Sequence, residues 1–188
     1  WTNATAGFEI LKYTGTGADA TFGHNLAAVP DLIIIKSLDS AQNWLVGHSG
    51  TTLGSDRMIL NQNYAVTNQY ADSYWNSTAP TNTLVSIGDD NACNISNEDY
   101  IAYLWTAIPG YSAFGSYVGN ANADGPFVYC GFKPRWLLIK NANAVNHWAI
   151  LDTERDTYNG MTKRLHPNDT MEVNTGAGIV VDTLSNGF

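Results

Sequence analysis

Apolar residues in this chain come in short runs divided by stretches of Asn, Ser, Thr, Gly and Asp. DLIIIK (31–36) and RWLLIK (135–140) are β-branched or aromatic runs flanked by charge, too short for a free-standing helix. That pattern predicts strands buried on both faces. Each is led in by a proline, Pro30 or Pro134, which has no amide to give a ladder and suits a strand's first residue. The turn-rich SLDSAQ (37–42) and NANAVN (141–146) follow, and then NWLV (43–46) and HWAI (147–150). Two hairpins are predicted, each with a tryptophan, Trp44 or Trp148, as a core anchor. Further strand-like segments are RMILN (57–61), NTLVSIG (82–88) and GIVVDTLSNGF (178–188). YIAYLWTAI (100–108) alternates aromatic and β-branched residues and predicts the strongest strand of all.

The hairpins are one pattern written twice. Tyr13 and Tyr117, Gly15 and Gly119, Pro30 and Pro134, Lys36 and Lys140, and Trp44 and Trp148 are each separated by 104 residues (134 − 30 = 104). Upstream, Gly7-Phe8 matches Gly110-Tyr111 at an offset of 103, one insertion away. A shared offset across residues of special type predicts an internal duplication. The expected fold is all-β, with two similar antiparallel, sandwich-like units over residues 1–108 and 109–188. Nothing after LSNGF matches YIAYLWTAI, so the second unit is expected to lack its closing strand. Either the chain is trimmed at its C-terminus or a neighbouring chain adds the strand, because an unpaired edge invites pairing.

Composition narrows the function. Hydrophobic residues make up 44% of the 188 and aromatics 12%, while charged residues are only 14%. That is many-turned β-structure of an extracellular or particle surface rather than a helical enzyme. The net charge of −8 and nine scattered basic residues exclude the clustered Lys and Arg that nucleic acid needs; TKRLH (162–166) is the densest group. An anionic membrane surface is disfavoured for the same reason, and no apolar run is long enough to insert. Cys93 and Cys130 make no metal or disulfide framework and read as two small buried thiols, one bridge between them being the alternative.

Candidate chemistry is thin. His24, His48, His147 and His166 stand singly with no metal-ligand spacing, so no metal site is assigned. Asp152, Glu154 and Asp156 alternate, which on a strand would put three carboxylates on one face; paired carboxylates are what glycoside hydrolysis uses. The first copy has no such acids, so they are read as solvated or paired with Arg155 or Arg164, and no catalytic residue is assigned. DDNACNISNED (89–99) is rich in oxygen but lacks a calcium-loop spacing, so no cofactor is expected, weak calcium binding being the alternative. GTGADATFG (15–23) has glycines without a following helix or lysine and predicts no phosphate site. Sequons at Asn3, Asn76, Asn94 and Asn168 fit exposed loops. The candidate binding residues are Tyr64, Tyr70, Tyr74 and Trp75 in NQNYAVTNQYADSYWNS (61–77). Aromatic faces beside amides suit sugar recognition, and equally suit covering the end of a β-sandwich.

Nearly the whole chain resembles an uncharacterised repeat domain of tailed-phage proteins, common in marine phages. The segments that carry the resemblance are ILKYTGTGADATFGHNLAAVPDLIIIKSLDSAQNWLV, WNSTAPTNTLVSIG, DTLSNGF and, most specifically, GYSAFGSYVGN…GPFVYCGFKPRWLLIK. The resemblance implies a structural polypeptide of the virion, often a tail fibre or tail protein, with other virion proteins or its own copies as partners. It brings no catalytic residues. Members of that family run on past LSNGF into another strand, which favours trimming over donation. The expected function is a structural module of a phage particle, on a fibre, spike or capsid decoration, with adsorption to a host surface glycan as an added role. The alternatives are a carbohydrate-active depolymerase, which needs two carboxylates facing across a groove, and a bacterial surface or secreted carbohydrate-binding module.

Overall fold

The computed structural model describes residues 1–156, 158–170 and 180–188. Among them run β1 (Thr2–Asn3), β2 (Phe8–Thr14), β3 (Ala20–Gly23), β4 (Leu32–Ser37), β5 (Leu45–His48), β6 (Met58–Ile59), β7 (Leu84–Ile87), β8 (Asp99–Trp105), β9 (Trp136–Ile139) and β10 (Ala149–Asp152). The α-helix among the described residues, α1 (Ala71–Trp75), is five residues long. The fold is all-β, and every ladder between these strands is antiparallel.

The chain divides into two compact units. One comprises Trp1–Leu60, Val66–Ile108 and Ser112–Gly115; the other comprises Asn61–Ala65, Pro109–Tyr111 and Ser116–Phe188. Compared with a boundary after residue 108, two short segments change sides. In the second unit the Asn63 carbonyl accepts from Asn146 N (3.0 Å). In the first, Ser112 bridges Ile108 and the Phe114 ring meets His48 edge-on at 6.1 Å.

In the first unit a six-stranded sheet has the order β1-β2-β8-β4-β5-β6, and β3 pairs with β7 in a second sheet. β8 is central, held by β2 from Phe8↔Trp105 to Thr14↔Asp99 and by β4 from Leu32↔Trp105 to Ser37↔Tyr100. Its alternation works as the sequence predicts: Tyr100, Ala102 and Leu104 are fully buried and the residues between them are not. Ile33 and Ile35 of β4, Leu45 of β5 and Ile59 of β6 join them against Phe22, Val85 and Ile87 of the small sheet, making one core between two layers. Leu32 and Ile34, on the other face of β4, are also buried, so that strand is covered on both sides.

The second unit contains the β9–β10 hairpin and a smaller core of Leu137, Leu151 and Met161, with Ile139, Ala149, Val181 and Phe188 packed against it. Its hairpin repeats the first at an offset of 104. Leu32↔His48 and Ile35↔Leu45 in one correspond to Trp136↔Asp152 and Ile139↔Ala149 in the other (32 + 104 = 136; 48 + 104 = 152). Lys36 Nζ donates to the carbonyls of Ser37 and Ser40, and Lys140 Nζ to those of Asn141 and Ala144. Ser37 Oγ accepts from the amides of Asp39 and Ser40, and Asn141 Oδ1 from those of Asn143 and Ala144. An Asx-type turn and a serine turn thus hold the same bend by the same bonds.

The strand before that hairpin does not reach the expected burial. Trp136 is 56% exposed, and of β9 only Leu137 counts as buried. The prolines at the start of both strands, Pro30 and Pro134, are buried. The paired tryptophans differ: Trp148 is buried as a core anchor, whereas Trp44 is only half-buried. No helix among the described residues is long and apolar enough to cross a membrane.

Candidate aromatic and acidic sites

The polar stretch 61–77 bends into α1, and that bend decides the fate of its aromatic residues. Asn76 closes the helix with φ of 49°, its amide reaching back to the carbonyls of Ala71 and Asp72, and the turn sends Trp75 inward. Trp75 is 1% exposed. Its indole Nε1 donates to Asp56 O at 3.0 Å, and its ring lies where a side chain on Gly47 would stand, 2.9 Å from that ideal Cβ. Trp75 is therefore a core residue and presents no face to a ligand, a correction to its expected binding role. The signal that could have found it is Gly47, the residue directly after the predicted NWLV strand and inside β5, since a glycine within a strand marks the close approach of another group.

Tyr70 and Tyr74, also in the first unit, stay at the surface. The Arg57 guanidinium sits 4.9 Å from the Tyr74 ring centroid and 5.6 Å from that of Tyr70. A cation shared between two aromatic faces is attractive through the ring quadrupole. Arg57 Nε is buried without a hydrogen-bond partner, so the guanidinium is committed to this aromatic seat. Tyr74 is half-buried, and burial, followed by the nearby Asp90 charge, raises its phenol above the ordinary tyrosine value. Tyr70 is 47% exposed, the more accessible of the two rings. Tyr64 is also exposed but belongs to the second unit.

The three acids do not share a strand face. β10 ends at Asp152, and Glu154 and Asp156 lie in the turn that follows. Each carboxylate is engaged. Asp152 pairs with Arg155 at 2.9 Å and accepts the Arg155 amide. Glu154 pairs with Arg135, not with Arg164. Asp156 accepts the amides of Thr162 and Lys163 at 2.9 and 2.7 Å, holding the turn closed. A shallow recess lies here, lined by Lys133, Thr153, Asp156, Tyr158, Asn159, Met161 and Thr183. Of the three acids only Asp156 reaches it, so two carboxylates do not face each other across it.

The 89–99 loop is not a hydrated loop throughout. Ala92, Cys93 and Asn94 are buried, and Asn94 is 0% exposed. Its Oδ1 accepts from Thr16 N at 2.7 Å, and its Nδ2 donates to the carbonyls of Ala18 and Gly88. This corrects the reading of Asn94 as an exposed sequon. The loop's acids serve the fold: Asp90 Oδ1 accepts Ala92 N, and Glu98 Oε2 accepts the hydroxyls of Ser37 and Ser40. No group of three or more His, Cys, Asp or Glu fit to hold a metal occurs among the described residues. Cys93 is a free, fully buried thiol, pushed up by burial and then by the Asp90 and Asp89 charges; Cys130 is also free and only half-buried, so it is not the buried thiol expected.

The histidines are less isolated than their spacing suggests. His24 is buried, with Nε2 3.1 Å from Thr81 O. Burial lowers His48 below the ordinary histidine value, and its Nδ1 accepts Gly50 N. His147 and His166 meet in the second unit with ring centroids 5.2 Å apart; Asp169 lies 3.4 Å from His147 Nδ1, and His166 Nδ1 lies 2.6 Å from Trp148 O. These contacts tie the 163–169 segment to the start of β10, a meeting that nothing in the local spacing announces.

The chain belongs to the family described as a domain of unknown function, DUF7483, whose model matches residues 1–188. No curated protein and no solved structure matches it.

Proposed function

We propose that this member of the DUF7483 family is a structural module of a bacteriophage virion, part of a fibre, spike or capsid decoration, that works by assembling with other particle proteins or with its own copies. The observation that carries the reading is the unequal surface of the two units. Of the sixteen large hydrophobic residues exposed among those described, eleven lie in the second unit, Trp136, Tyr129 and Tyr158 among them. Exposed aromatic side chains gathered in one unit are the residue types that protein–protein contacts favour. The resemblance to tailed-phage repeat domains supports the same conclusion. So does the hairpin repeated at 104 residues, which we read as the product of duplication of one β-unit. Acids already engaged in ion pairs and turns favour assembly over glycan cleavage.

Adsorption to a host glycan is the added role, and Tyr70 with Arg57 is the place for it in the first unit. A sugar C–H face stacks on an exposed ring, and the guanidinium supplies donors for hydroxyls. Mass spectrometry of gradient-purified phage particles tests the main reading. Peptides of this chain should band with the particles at the copy number of a fibre or decoration protein. Abundance in the lysate and absence from the particles would overturn it. A glycan array on the recombinant chain tests the added role: binding that Tyr70→Ala abolishes supports it, and a silent array removes it.

A further inference from the structure

In the second unit, Lys133, Asp156 and Asn159 line one shallow recess together with Met161 and Thr183. An amine, a carboxylate and a primary amide are what an amide exchange needs: a nucleophile, a proton carrier and an acyl group with a leaving nitrogen. The residues at the 104 offset in the first unit are Val29, Thr52 and Ser55, with no amine, carboxylate or amide side chain among them (133 − 104 = 29; 156 − 104 = 52; 159 − 104 = 55). The second hairpin thus carries chemistry that the first lacks.

Each group is held in the form that reaction uses. Asn159 Oδ1 accepts from Thr183 N at 2.8 Å and from Thr183 Oγ1 at 3.2 Å. A backbone N–H can only donate, which assigns Oδ1 to this clamp and keeps Nδ2 out of it. Both donors sit on the oxygen that gains negative charge when a nucleophile adds to Cγ, the arrangement of an oxyanion hole. Thr183 is 5% exposed, so water competes little for them. Asp156 Oδ2 takes the amides of Thr162 and Lys163, while Lys163 Nζ stays 4.0 Å from Oδ1, whose lone pairs are left for a proton. Lys133 is exposed and forms no ion pair among the described residues, so its amine can swing into the recess. Met161, 1% exposed, supplies an apolar wall.

We propose that the chain joins Lys133 to Asn159 by an intramolecular isopeptide bond, with Asp156 as the proton carrier. Lys133 Nζ gives one proton to the Asp156 carboxylate and adds through the freed lone pair to Asn159 Cγ. The carbonyl π pair moves onto Oδ1, where Thr183 N and Oγ1 hold the charge. Asp156 hands its proton to Nδ2 and takes another from Nζ. The Cγ–Nδ2 bond then breaks, the carbonyl reforms, and the nitrogen departs as ammonium with both protons. One C–N bond forms and one breaks, with no oxidant, reductant or cofactor consumed. The link closes the lead-in of β9 onto the turn after β10 (159 − 133 = 26 residues), across a unit whose buried cluster is Leu137, Leu151 and Met161. A core that small gains most from a covalent staple. The proposal rests on the second unit's geometry and stands whether or not the particle is a phage.

The test is intact-mass spectrometry of the recombinant 188-residue chain, fresh and after long incubation, followed by peptide mapping. The expected result is loss of the mass of one ammonia and a branched peptide joining Lys133 to Asn159. Lys133→Arg, at an exposed position that leaves the fold intact, should abolish both, as should Asn159→Ala. Asp156→Asn can still accept the two turn amides and should slow the reaction by about a hundredfold or more. A mass that never falls would overturn the proposal. So would an ammonia loss that persists in Lys133→Arg, because the Gly160 backbone nitrogen would then be the attacker and a succinimide at Asn159–Gly160 the product. A branched peptide found only in covalent dimers would overturn the intramolecular bond. Its formation at the parent rate in Asp156→Asn would overturn Asp156 as the proton carrier.

Discussion

At the same point of the two hairpins, β5 carries Gly47 and β10 carries Leu151 (47 + 104 = 151). Both positions are buried, but they are filled differently. The glycine leaves room for the indole of Trp75, brought in from a helix almost thirty residues downstream, whereas Leu151 fills its site with its own side chain. One unit thus closes its core over long sequence distances, with β8 and α1 as the closing pieces. The other keeps a local core around a hairpin and leaves apolar surface outside. The same hairpin can be the middle of a sheet or the edge of one, depending on what arrives from elsewhere in the chain.

The largest effect should come from removing the distant contribution. Trp75→Ala takes away a fully buried indole and orphans the Asp56 carbonyl, so denaturant unfolding of the first unit should lose about 3–5 kcal/mol. Trp136→Ala, at an exposed tryptophan in the second unit, should change stability by less than about 0.5 kcal/mol. Equal losses at the two sites would break the comparison, because they would mean that Trp136 is covered in solution.

These two tryptophans also show where the sequence is legible. β4, β8 and both hairpins can be read from apolar runs and alternation, because their burial is set by neighbours a few residues away in pattern. Trp75 sits among Asn, Gln, Ser and Tyr, with no periodicity to say that it turns inward; its burial is decided by a gap at Gly47. Asn94 is a similar case. A polar loop in composition, 89–99 is pinned to the fold by one amide side chain whose three partners lie in other segments. Hydrogen-bond satisfaction of that kind depends on tertiary position and leaves no local signature. The candidate site fared accordingly: Tyr64 and Tyr70 lie at the surface as composition suggests, and the most conspicuous aromatic of the set does not.

Asn94 gives the second test, since no counterpart at the 104 offset exists within these 188 residues. Asn94→Ala strips partners from a buried amide and two carbonyls, each costly to leave unmet, so the first unit should lose about 2–4 kcal/mol by chemical denaturation. Asn94→Asp should be no better, because a carboxylate replaces the donor that faces the Ala18 and Gly88 carbonyls. A loss under about 1 kcal/mol would mean that water takes over those bonds and that the loop is not a closing piece. Next in size are the matched lysines. Lys36→Met and Lys140→Met each remove two ammonium-to-carbonyl bonds that hold a hairpin turn, and each should cost about 1–2 kcal/mol in its own unit. Similar costs would sharpen the view that the turn is one device used twice; a cost in only one unit would show that identical bonds carry different loads in the two settings.

The smallest effect is one of pH, and it separates the units by chemistry alone. Glu9 is buried on β2. Burial by itself would raise its pKa, but the Asn25 amide and side chain, Thr2 Oγ1 and the His24 charge together outweigh it and hold the carboxyl below its ordinary value. A folded value below the unfolded one, near 4.3, gives stability that is present above about pH 4.3 and is lost as pH falls through the folded value. The residue at the 104 offset, 9 + 104 = 113, is Ala113, whose methyl side chain has no proton to take up, and the β9–β10 hairpin carries no buried glutamate. Acidification from pH 5 to 3 should therefore weaken protection of the β2 amides more than that of the β9–β10 amides. Glu9→Gln should destabilise the first unit at pH 7, and its gap from the parent chain should narrow as the pH falls below about 4.3. A gap between variant and parent that is the same at pH 7 and at pH 3 would show that shape rather than charge is what Glu9 contributes, and would remove acid sensitivity from the differences between the two units.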